Sequence, residues 1–395
     1  MKKLFVTLFA ALAILTCSCG GDEPKINNDN TGTEKPDTPD KPDTPDVPVT
    51  PDKPDEPDST IIDSRMASLK VRDLALIYQG GKHRIDWTED QFEPYVTHKF
   101  ADGTEKWIFD GYLFIEFWDG GEYQFSPGYN KKNATKAVWQ WYLDRIFEQD
   151  KSLDALDKMI AKKKRRLGNP GFRHKIALTA VVPIIGTSWG DLNGRWLNFS
   201  NADDRRDAVK WFIDELYNRF KSRRYNNIDL YAIYWIAENT YFGLNESITN
   251  DVKSIIDTKG LDFIWIPYFG AEGAPKWKTL GFDLAYYQPN YFFSDNIEYS
   301  RLTTAINFAK KNEMGMEFEC DEHALYQDAA GRQYRMKHYI DAFEEQGVFE
   351  SMPIAYYTGS HMFIDMVQNP HEKNQEIMDR LCGFIVDRRK RAIGK

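Results

Sequence analysis

Short apolar runs alternate along the chain with longer runs in which apolar residues recur at helical spacing. Short runs rich in β-branched and aromatic residues predict buried strands, whereas apolar residues three and four positions apart predict amphipathic helices. We predict eight strands, at residues 73–78, 109–117, 175–182, 228–237, 261–267, 282–287, 314–320 and 353–357. We predict helices at residues 135–167, 203–223, 246–258, 303–312, 334–345 and 372–389.

Most of the predicted strands are separated by a helix, and this order decides the fold class. Strand–helix–strand units form parallel sheets with right-handed crossovers. Eight strands in this order predict an α/β fold of the (β/α)8 or TIM-barrel class, with residues 61–395 as a single domain. An open doubly wound sheet alternates in the same way, but no strand-to-helix turn has the glycine pattern of a dinucleotide or phosphate site.

The seventh predicted strand carries carboxylates on one of its faces. Because side chains alternate along a strand, Glu317, Glu319 and Asp321 lie on one face and apolar residues lie on the other. In an isolated strand this pattern is typical of an edge strand with a solvated face. In a barrel it places the carboxylates in a polar cavity and the apolar residues against the helices.

The N-terminal residues predict export and lipid attachment. Lys2 and Lys3 precede an apolar run that is too short to span a membrane, and Cys19 follows it, with Cys17 as the alternative. Residues 1–19 resemble a bacterial lipoprotein signal, in which Cys19 would carry the lipid, and the acidic residues after it resemble the surface-export signal of Bacteroidota lipoproteins. We therefore expect an outer membrane lipoprotein displayed at the cell surface, in contact with the membrane through its lipid only.

Residues 20–60 differ in composition from the rest of the chain. They repeat Thr-Pro-Asp and Lys-Pro-Asp units with almost no apolar side chains, which predicts a disordered stalk that favours polyproline II. This segment has 12 acidic and 4 basic residues, so it accounts for most of the net charge of −9. The remainder is nearly neutral and has no basic stripe, which argues against nucleic acid as a partner. We expect a monomer in which Cys320 and Cys382 are separate core residues.

Active sites of (β/α)8 barrels lie where the strands end and the following loops begin. Acidic, amide and aromatic residues occupy these positions in the predicted elements. The catalytic candidates are Glu238, Glu319 and Glu317, and the substrate-binding candidates are Tyr78, Gln79, Glu116, Asp119, Trp189, Asn239, Tyr268, Gln288, Asn290, Tyr356 and Tyr357. No histidine cluster with metal spacing and no serine elbow accompanies them, so we expect neither a metal nor a cofactor.

Paired carboxyl groups among aromatic rings suit the cleavage of glycosidic bonds. One carboxyl group protonates the leaving oxygen, and a second, ionised one attacks the anomeric carbon or activates water. Aromatic rings offer flat apolar faces to sugars, and amides satisfy sugar hydroxyl groups. We therefore predict a glycoside hydrolase whose partner is a glycan substrate.

Two glutamates carry a more specific resemblance. Glu238 in YWIAEN follows the fourth strand, and Glu319 in MEFECDE lies at the end of the seventh. This arrangement resembles the large clan of retaining (β/α)8 glycoside hydrolases, which implies that Glu238 is the acid/base and Glu319 the nucleophile, with Glu317 as the alternative nucleophile. In that clan an Asn usually precedes the acid/base Glu, whereas here Ala237 precedes it and Asn239 follows it. The whole chain also resembles an uncharacterised domain-of-unknown-function family of Bacteroidota lipoproteins, which implies no substrate.

Two other functions fit the same residues. A non-catalytic glycan-binding lipoprotein would keep the barrel cleft as a receptor. A metal-dependent hydrolase would use Glu116, Glu317, Glu319 and Asp321, but it would lack supporting histidines. The separation of the two carboxyl groups distinguishes these functions: roughly 5 to 5.5 Å favours a retaining hydrolase, roughly 6.5 to 9.5 Å an inverting one, and a much larger separation favours binding alone.

Overall fold

The computed structural model describes residues 68–240 and 246–393. Its strands are β1 Asp73–Tyr78, β2 Thr97–Lys99, β3 Glu105–Trp107, β4 Gly111–Ile115, β5 Tyr123–Gln124, β6 Lys132–Asn133, β7 His174–Ala180, β8 Ser188–Leu192, β9 Arg195–Asn198, β10 Ile228–Trp235, β11 Asp262–Trp265, β12 Leu284–Tyr287, β13 Gly315–Cys320 and β14 Ile354–Thr358. Its helices are α1 Glu89–Val96, α2 Lys136–Ile146, α3 Ser152–Leu167, α4 Ala202–Arg223, α5 Glu246–Asp257, α6 Ser300–Lys311, α7 Gln333–Glu345, α8 Val348–Ser351, α9 Met362–Gln368 and α10 Glu372–Ile393.

The predicted (β/α)8 barrel is confirmed. Eight strands close into one barrel in the order β1-β14-β13-β12-β11-β10-β7-β4, and every pair of neighbours is parallel. These are the eight strands predicted from the apolar runs. Several are shorter than predicted, because residues at their ends, such as Ile236 and Ala237 after β10, already belong to the loops.

One predicted helix is two helices in the structure. The run at residues 135–167 is interrupted between α2 and α3, where Asp150 and Ser152 adopt left-handed backbone conformations with φ of 62° and 48°. The backbone N–H of Ser152 donates to the carbonyl of Trp87 at 2.8 Å, which ties this break to the loop after β1. A continuous helix was therefore the wrong interpretation of this run.

Several segments outside the predicted elements contain regular structure, and two of them are large insertions. Between β1 and β4 the chain forms the short helix α1 and the antiparallel pair β2–β3. After β7 it forms the antiparallel hairpin β8–β9. The first insertion packs Phe92 against Phe114 of β4, and the second packs Trp189 against Trp139 of α2.

The register between β13 and β14 fixes which side chains face the barrel interior. Glu317 pairs with Ala355, and Glu319 pairs with Tyr357. The alternate residue Phe318 points to the helix layer, where its ring lies 5.2 Å from that of Tyr339 on α7. The predicted alternation of carboxylate and apolar faces is therefore present in the strand.

A buried ion pair joins the last helix to the strands that close the barrel. Nη1 of Arg388 on α10 lies 3.0 Å from Oδ1 of Asp73 on β1, and both residues are buried. The hydroxyl of Tyr356 on β14 donates to the same Asp73 oxygen at 2.8 Å. Because β1, β14 and α10 meet at the carboxylate of Asp73, this contact links the first strand of the barrel to its last strand and to the last helix.

Cys320 and Cys382 are both buried and unpaired, which confirms the expectation of separate core cysteines. Among the helices of the described ranges, none is long and apolar enough to cross a membrane. The predicted signal at residues 1–19, lipidation at Cys19 and stalk at residues 20–60 lie outside the described residues.

Candidate active site

Three glutamates meet at the end of the barrel where the strands finish. Glu238 lies three residues beyond β10, and Glu317 and Glu319 lie on β13. Glu317 and Glu319 are 3% and 1% exposed, although they are carboxylates. Burial raises the pKa of both strand glutamates, and the charge of Glu238 raises it further. The catalytic candidates therefore share one site.

Glu238 has two hydrogen-bond donors in the site. Nε2 of Gln288 donates to its Oε1 at 3.0 Å, and the hydroxyl of Tyr129 donates to its carboxyl group as well. Burial raises the pKa of Glu238 to about 7 in spite of these two donors. A carboxyl group with this pKa retains its proton over a large part of the neutral range, as a general acid must.

Glu319 is surrounded by donors. Its carboxylate accepts hydrogen bonds from the hydroxyl of Tyr339, from Nδ2 of Asn290 at 3.2 Å, and from the backbone N–H groups of Asn290 and Tyr291. Burial raises the pKa of Glu319 to about 7, and the hydrogen bonds counteract the rise by favouring the ionised form. The donors fix the orientation of this carboxylate as well as its charge.

Two amide side chains connect Glu238 with Glu319. Gln288 donates to Glu238 and to the carbonyl of Ile266, and its Oε1 accepts from Nδ2 of Asn290 at 3.1 Å. Asn290 donates in turn to Glu319, and its own Oδ1 accepts from the backbone N–H of Phe269 at 2.8 Å. We call Gln288 and Asn290 the amide bridge. The bridge fixes the position of the Glu238 carboxyl group relative to that of Glu319.

Asn290 has an unusual backbone that makes the bridge possible. Its φ is 49°, in the left-handed region that asparagine tolerates better than most residues. Proline at position 289 has no backbone N–H to donate in this turn, and the Asn290 side chain accepts from the backbone N–H of Phe269 at 2.8 Å. The sequence Gln-Pro-Asn at this strand end thus builds the bridge.

Glu317 lacks such partners. Within the described ranges no group donates a hydrogen bond to its carboxyl group. Tyr78 on β1, Tyr234 on β10 and Tyr357 on β14 all interact with it electrostatically, so it faces the interior. Burial first, and then repulsion by Glu319 and Glu238, raises the pKa of Glu317 well above its ordinary value.

Aromatic rings form one wall of the site. The ring of Tyr78 lies 5.5 Å from that of Tyr357 and 6.1 Å from that of Phe117, and Phe117 stacks on Tyr129 at 4.2 Å. Phe293 continues the row beyond Tyr357 at 5.6 Å. We call these five rings the aromatic wall. Its two end members, Tyr129 and Phe293, are 36% and 37% exposed, so the wall reaches the surface.

A second pair of candidates lies beside Glu238. Nδ2 of Asn239 donates to the hydroxyl of Tyr268 at 2.8 Å, and Tyr268 is partly buried. Since Asn239 follows Glu238 directly, this pair borders the acid. It is suited to contact a ligand bound next to Glu238.

Two acidic candidates support the loops instead of facing the cleft. Glu116 is fully buried and accepts from Nε of Arg84 at 2.8 Å and from the backbone N–H of Gly81 at 3.2 Å, so it fixes the loop after β1. Asp119 accepts from the backbone N–H groups of Gly121 and Tyr123, both at 2.8 Å, and thus holds a turn. Their prediction as substrate-binding residues is therefore corrected, because their oxygens are already occupied by the protein.

Two other candidates point into the helix layer. Tyr356 pairs with Phe318 and bonds Asp73, on the outside of the strand. Trp189 is 1% exposed and packs its ring on Trp139 of α2. The sequence predicted that these residues lie near strand ends, but it did not predict that their side chains point away from the barrel interior.

Gln79 also turns away from the cleft. It is 3% exposed, and its Oε1 accepts a hydrogen bond from the hydroxyl of Ser152 at the start of α3, at 2.7 Å. Gln79 follows Tyr78, which faces the interior, so alternation along β1 directs Gln79 to the helices. Its prediction as a substrate-binding residue is corrected for this reason.

Sequence reasoning missed several residues of the site. Tyr129 lies in the long loop after β4, Tyr339 lies within α7, and Tyr234 lies inside β10 rather than at its end. None of these positions follows from the rule that sites lie at strand ends. Only the alternation along β10, which directs Tyr234 inward, gave a signal.

The residues proposed as ligands of a metal are not gathered in one place. Glu116 is paired with Arg84, and Asp321 accepts from the backbone N–H of His323 at the start of a short 3-10 helix. In the part of the chain that the structure describes, no group of three or more His, Cys, Asp or Glu side chains is arranged to hold a metal ion.

Comparisons with known proteins give a family. The family model described as Domain of unknown function (DUF4855) matches residues 73–383. No curated protein matches the chain. A mutant tryptophan synthase alpha-subunit from Pyrococcus furiosus has 9% identity and a TM-score of 0.37, covering 79% of this chain and 98% of that chain. Tryptophan synthase subunit alpha from Legionella pneumophila has 8% identity and a TM-score of 0.38, covering 83% and 97%. Likenesses of this size give no information about activity.

Proposed function

Because the chain belongs to the DUF4855 family, a domain of unknown function, we propose its activity from its site: it is a glycoside hydrolase that uses two carboxyl groups. The observation that carries the proposal is the amide bridge, which joins Glu238 after β10 to Glu319 on β13. These are the fourth and seventh strands of the barrel in chain order. A partly buried carboxyl group, Glu238, and a buried one, Glu319, held in this way can act together on one bond.

The proposed reaction assigns one role to each carboxyl group. Glu238 gives its proton to the glycosidic oxygen while that oxygen leaves the anomeric carbon, and a carboxylate oxygen of Glu319 forms an ester with the same carbon. Water then attacks the anomeric carbon and gives a proton back to Glu238, and the ester bond breaks to restore the Glu319 carboxylate. One water is consumed, and the product keeps its anomeric configuration.

The walls of the site support a sugar as the substrate. The aromatic wall offers apolar faces for the C–H groups of a sugar ring, and Asn239 and Tyr268 offer polar groups for its hydroxyls. Two ends of the wall reach the surface, so a chain longer than one sugar can contact it. We therefore propose an oligosaccharide or polysaccharide as the substrate.

We expect a bell-shaped dependence of kcat/KM on pH, with its maximum near pH 7. Glu319 must be ionised and Glu238 protonated, and burial raises the pKa of each to about 7. Activity should therefore fall on the acid side as Glu319 takes up a proton and on the alkaline side as Glu238 loses one. The measurement is kcat/KM from about pH 4.5 to about pH 9. A rate that keeps rising through the alkaline range would exclude Glu238 as the acid.

We also propose that Cys19 carries a lipid that attaches the protein to the outer membrane at the cell surface. Its support is the apolar run that ends in Cys17, Ser18 and Cys19. In cells fed an alkyne fatty acid, Cys19→Ala should abolish labelling of the protein, whereas Cys17→Ala should leave it. Equal labelling of wild type and Cys19→Ala would exclude lipidation at this residue.

A further inference from the structure

We infer that Glu317 is held as a neutral carboxylic acid inside the site, and that its O–H group is a hydrogen-bond donor to an oxygen of the substrate. The inference rests on the proposed function for the substrate contact but not for the protonation. It gives Glu317 a role different from those of Glu238 and Glu319. It also decides between the two glutamates of β13, because a neutral carboxyl group is not a nucleophile.

The distribution of donors is the first argument. Glu238 accepts from Gln288 and Tyr129, and Glu319 accepts from two side chains and two backbone N–H groups. No described group donates to Glu317, although it is 3% exposed. A buried carboxylate that is ionised and accepts no hydrogen bond is very unfavourable. Because Glu317 is the glutamate without a described hydrogen-bond donor, it retains its proton.

The surrounding charges are the second argument. The titratable groups that interact electrostatically with Glu317 are Glu238, Glu319 and the tyrosines Tyr78, Tyr234, Tyr339 and Tyr357, from β1, β10 and its following loop, β13, α7 and β14. None of these is a cation. Arg84 stacks over the Tyr78 ring at 4.7 Å, but its guanidinium is paired with Glu116. If Glu317 ionised, its negative charge would be added to those of Glu319 and, when it is deprotonated, Glu238, and none of these groups is a cation that could balance it.

The position of Glu317 is the third argument. It precedes Glu319 by two residues on the same face, which places it about 6 to 7 Å deeper in the barrel. A neutral carboxyl group has an O–H donor, and this donor has no acceptor in the described protein. Hydroxyl and ring oxygens of a sugar can accept it. Glu317 would then recognise an oxygen at the inner end of the bound substrate.

Glu317→Gln provides the first test, because glutamine is neutral, has nearly the same shape and keeps a donor. We expect Glu317→Gln to retain kcat/KM within about tenfold at pH 6, where Glu319→Gln has lost activity. Glu317→Leu, which removes the donor, should raise KM by about tenfold or more with a smaller change in kcat. A Glu317→Gln variant as inactive as Glu319→Gln, or a Glu317→Leu variant with unchanged KM, would overturn the inference.

Thermal unfolding tests the protonation without any substrate. The folded state raises the pKa of Glu317, so above the ordinary carboxyl pKa it binds a proton that the unfolded state releases. The contribution of Glu317 to the free energy of unfolding of the wild type therefore decreases as the pH rises. The Glu317→Gln variant has no titrating group at this position, so it does not lose stability in this way. The melting temperature of Glu317→Gln should exceed that of wild type by an amount that grows from about pH 5 to about pH 8. A constant or shrinking difference would mean that Glu317 is ionised.

The two tests fail in different ways. If the wild-type protein cleaves no glycan, the proposed function is wrong, and the melting temperatures then decide alone for or against a neutral Glu317. If glycans are cleaved and the melting difference does not grow with pH, the proposed function stands and the inference about Glu317 is wrong.

Discussion

Glu319→Gln is expected to lower kcat/KM by at least about 1000-fold on every glycoside that the protein cleaves. The amide of glutamine cannot form the ester with the anomeric carbon, and it disrupts a site in which Tyr339 and two backbone N–H groups all donate to this position. The loss should not depend on the leaving group, because the attack itself is removed. Steady-state kinetics with a natural glycan, which has a poor leaving group, and with an aryl glycoside, which has a good one, measure the loss for each kind of leaving group.

Glu238→Gln should give a contrasting result. A natural sugar leaving group needs a proton, so we expect a loss of about 100-fold to 10,000-fold on the glycan. A nitrophenolate leaves without protonation, so the first step on a dinitrophenyl glycoside should be nearly unaffected. Glu376→Gln, an exposed glutamate on α10, is the matched control and should behave as wild type. Equal losses on both substrates for Glu238→Gln would contradict its role as acid.

Arg388→Met is expected to destabilise the fold by about 3 to 5 kcal/mol. The change leaves the carboxylate of Asp73 buried, with only the Tyr356 hydroxyl as a side-chain donor. Arg388 also donates to the carbonyl of Met352, so the contact of α10 with the chain before β14 is weakened too. Urea unfolding of wild type and variant gives the difference in free energy of unfolding.

Two further variants make this prediction specific. Lys390→Met removes an exposed pair with Asp387 from the same helix and should cost about 1 kcal/mol or less. The double variant Asp73→Asn with Arg388→Met should cost less than the sum of the two single changes, because the uncompensated charge is gone. A loss from Arg388→Met no greater than that from Lys390→Met would show that the buried pair does not hold the barrel closed.

The alternation of strands and helices was enough to predict the barrel. The strand ends also located Glu238, Gln288, Asn290 and the two glutamates of β13, because parallel strands bring their ends to one side of a barrel. The amide bridge itself was not predictable, since it depends on the left-handed backbone of Asn290.

Position at a strand end does not give the direction of a side chain. Tyr356 and Tyr357 are neighbours, but alternation directs Tyr357 to the cleft and Tyr356 to the helix layer. Gln79 faces outward for the same reason. Tyr129 reaches Glu238 from a long loop after β4, and no periodic pattern describes the path of such a loop.

The most direct test of a two-carboxylate glycoside hydrolase is the release of new reducing ends from a panel of polysaccharides by the purified protein. Wild type should release them from at least one glycan, and Glu319→Gln, purified in parallel and equally folded, should release none. Cleavage of no glycan by wild type, or equal cleavage by wild type and Glu319→Gln, would contradict the assignment of this site to glycosidic bond hydrolysis.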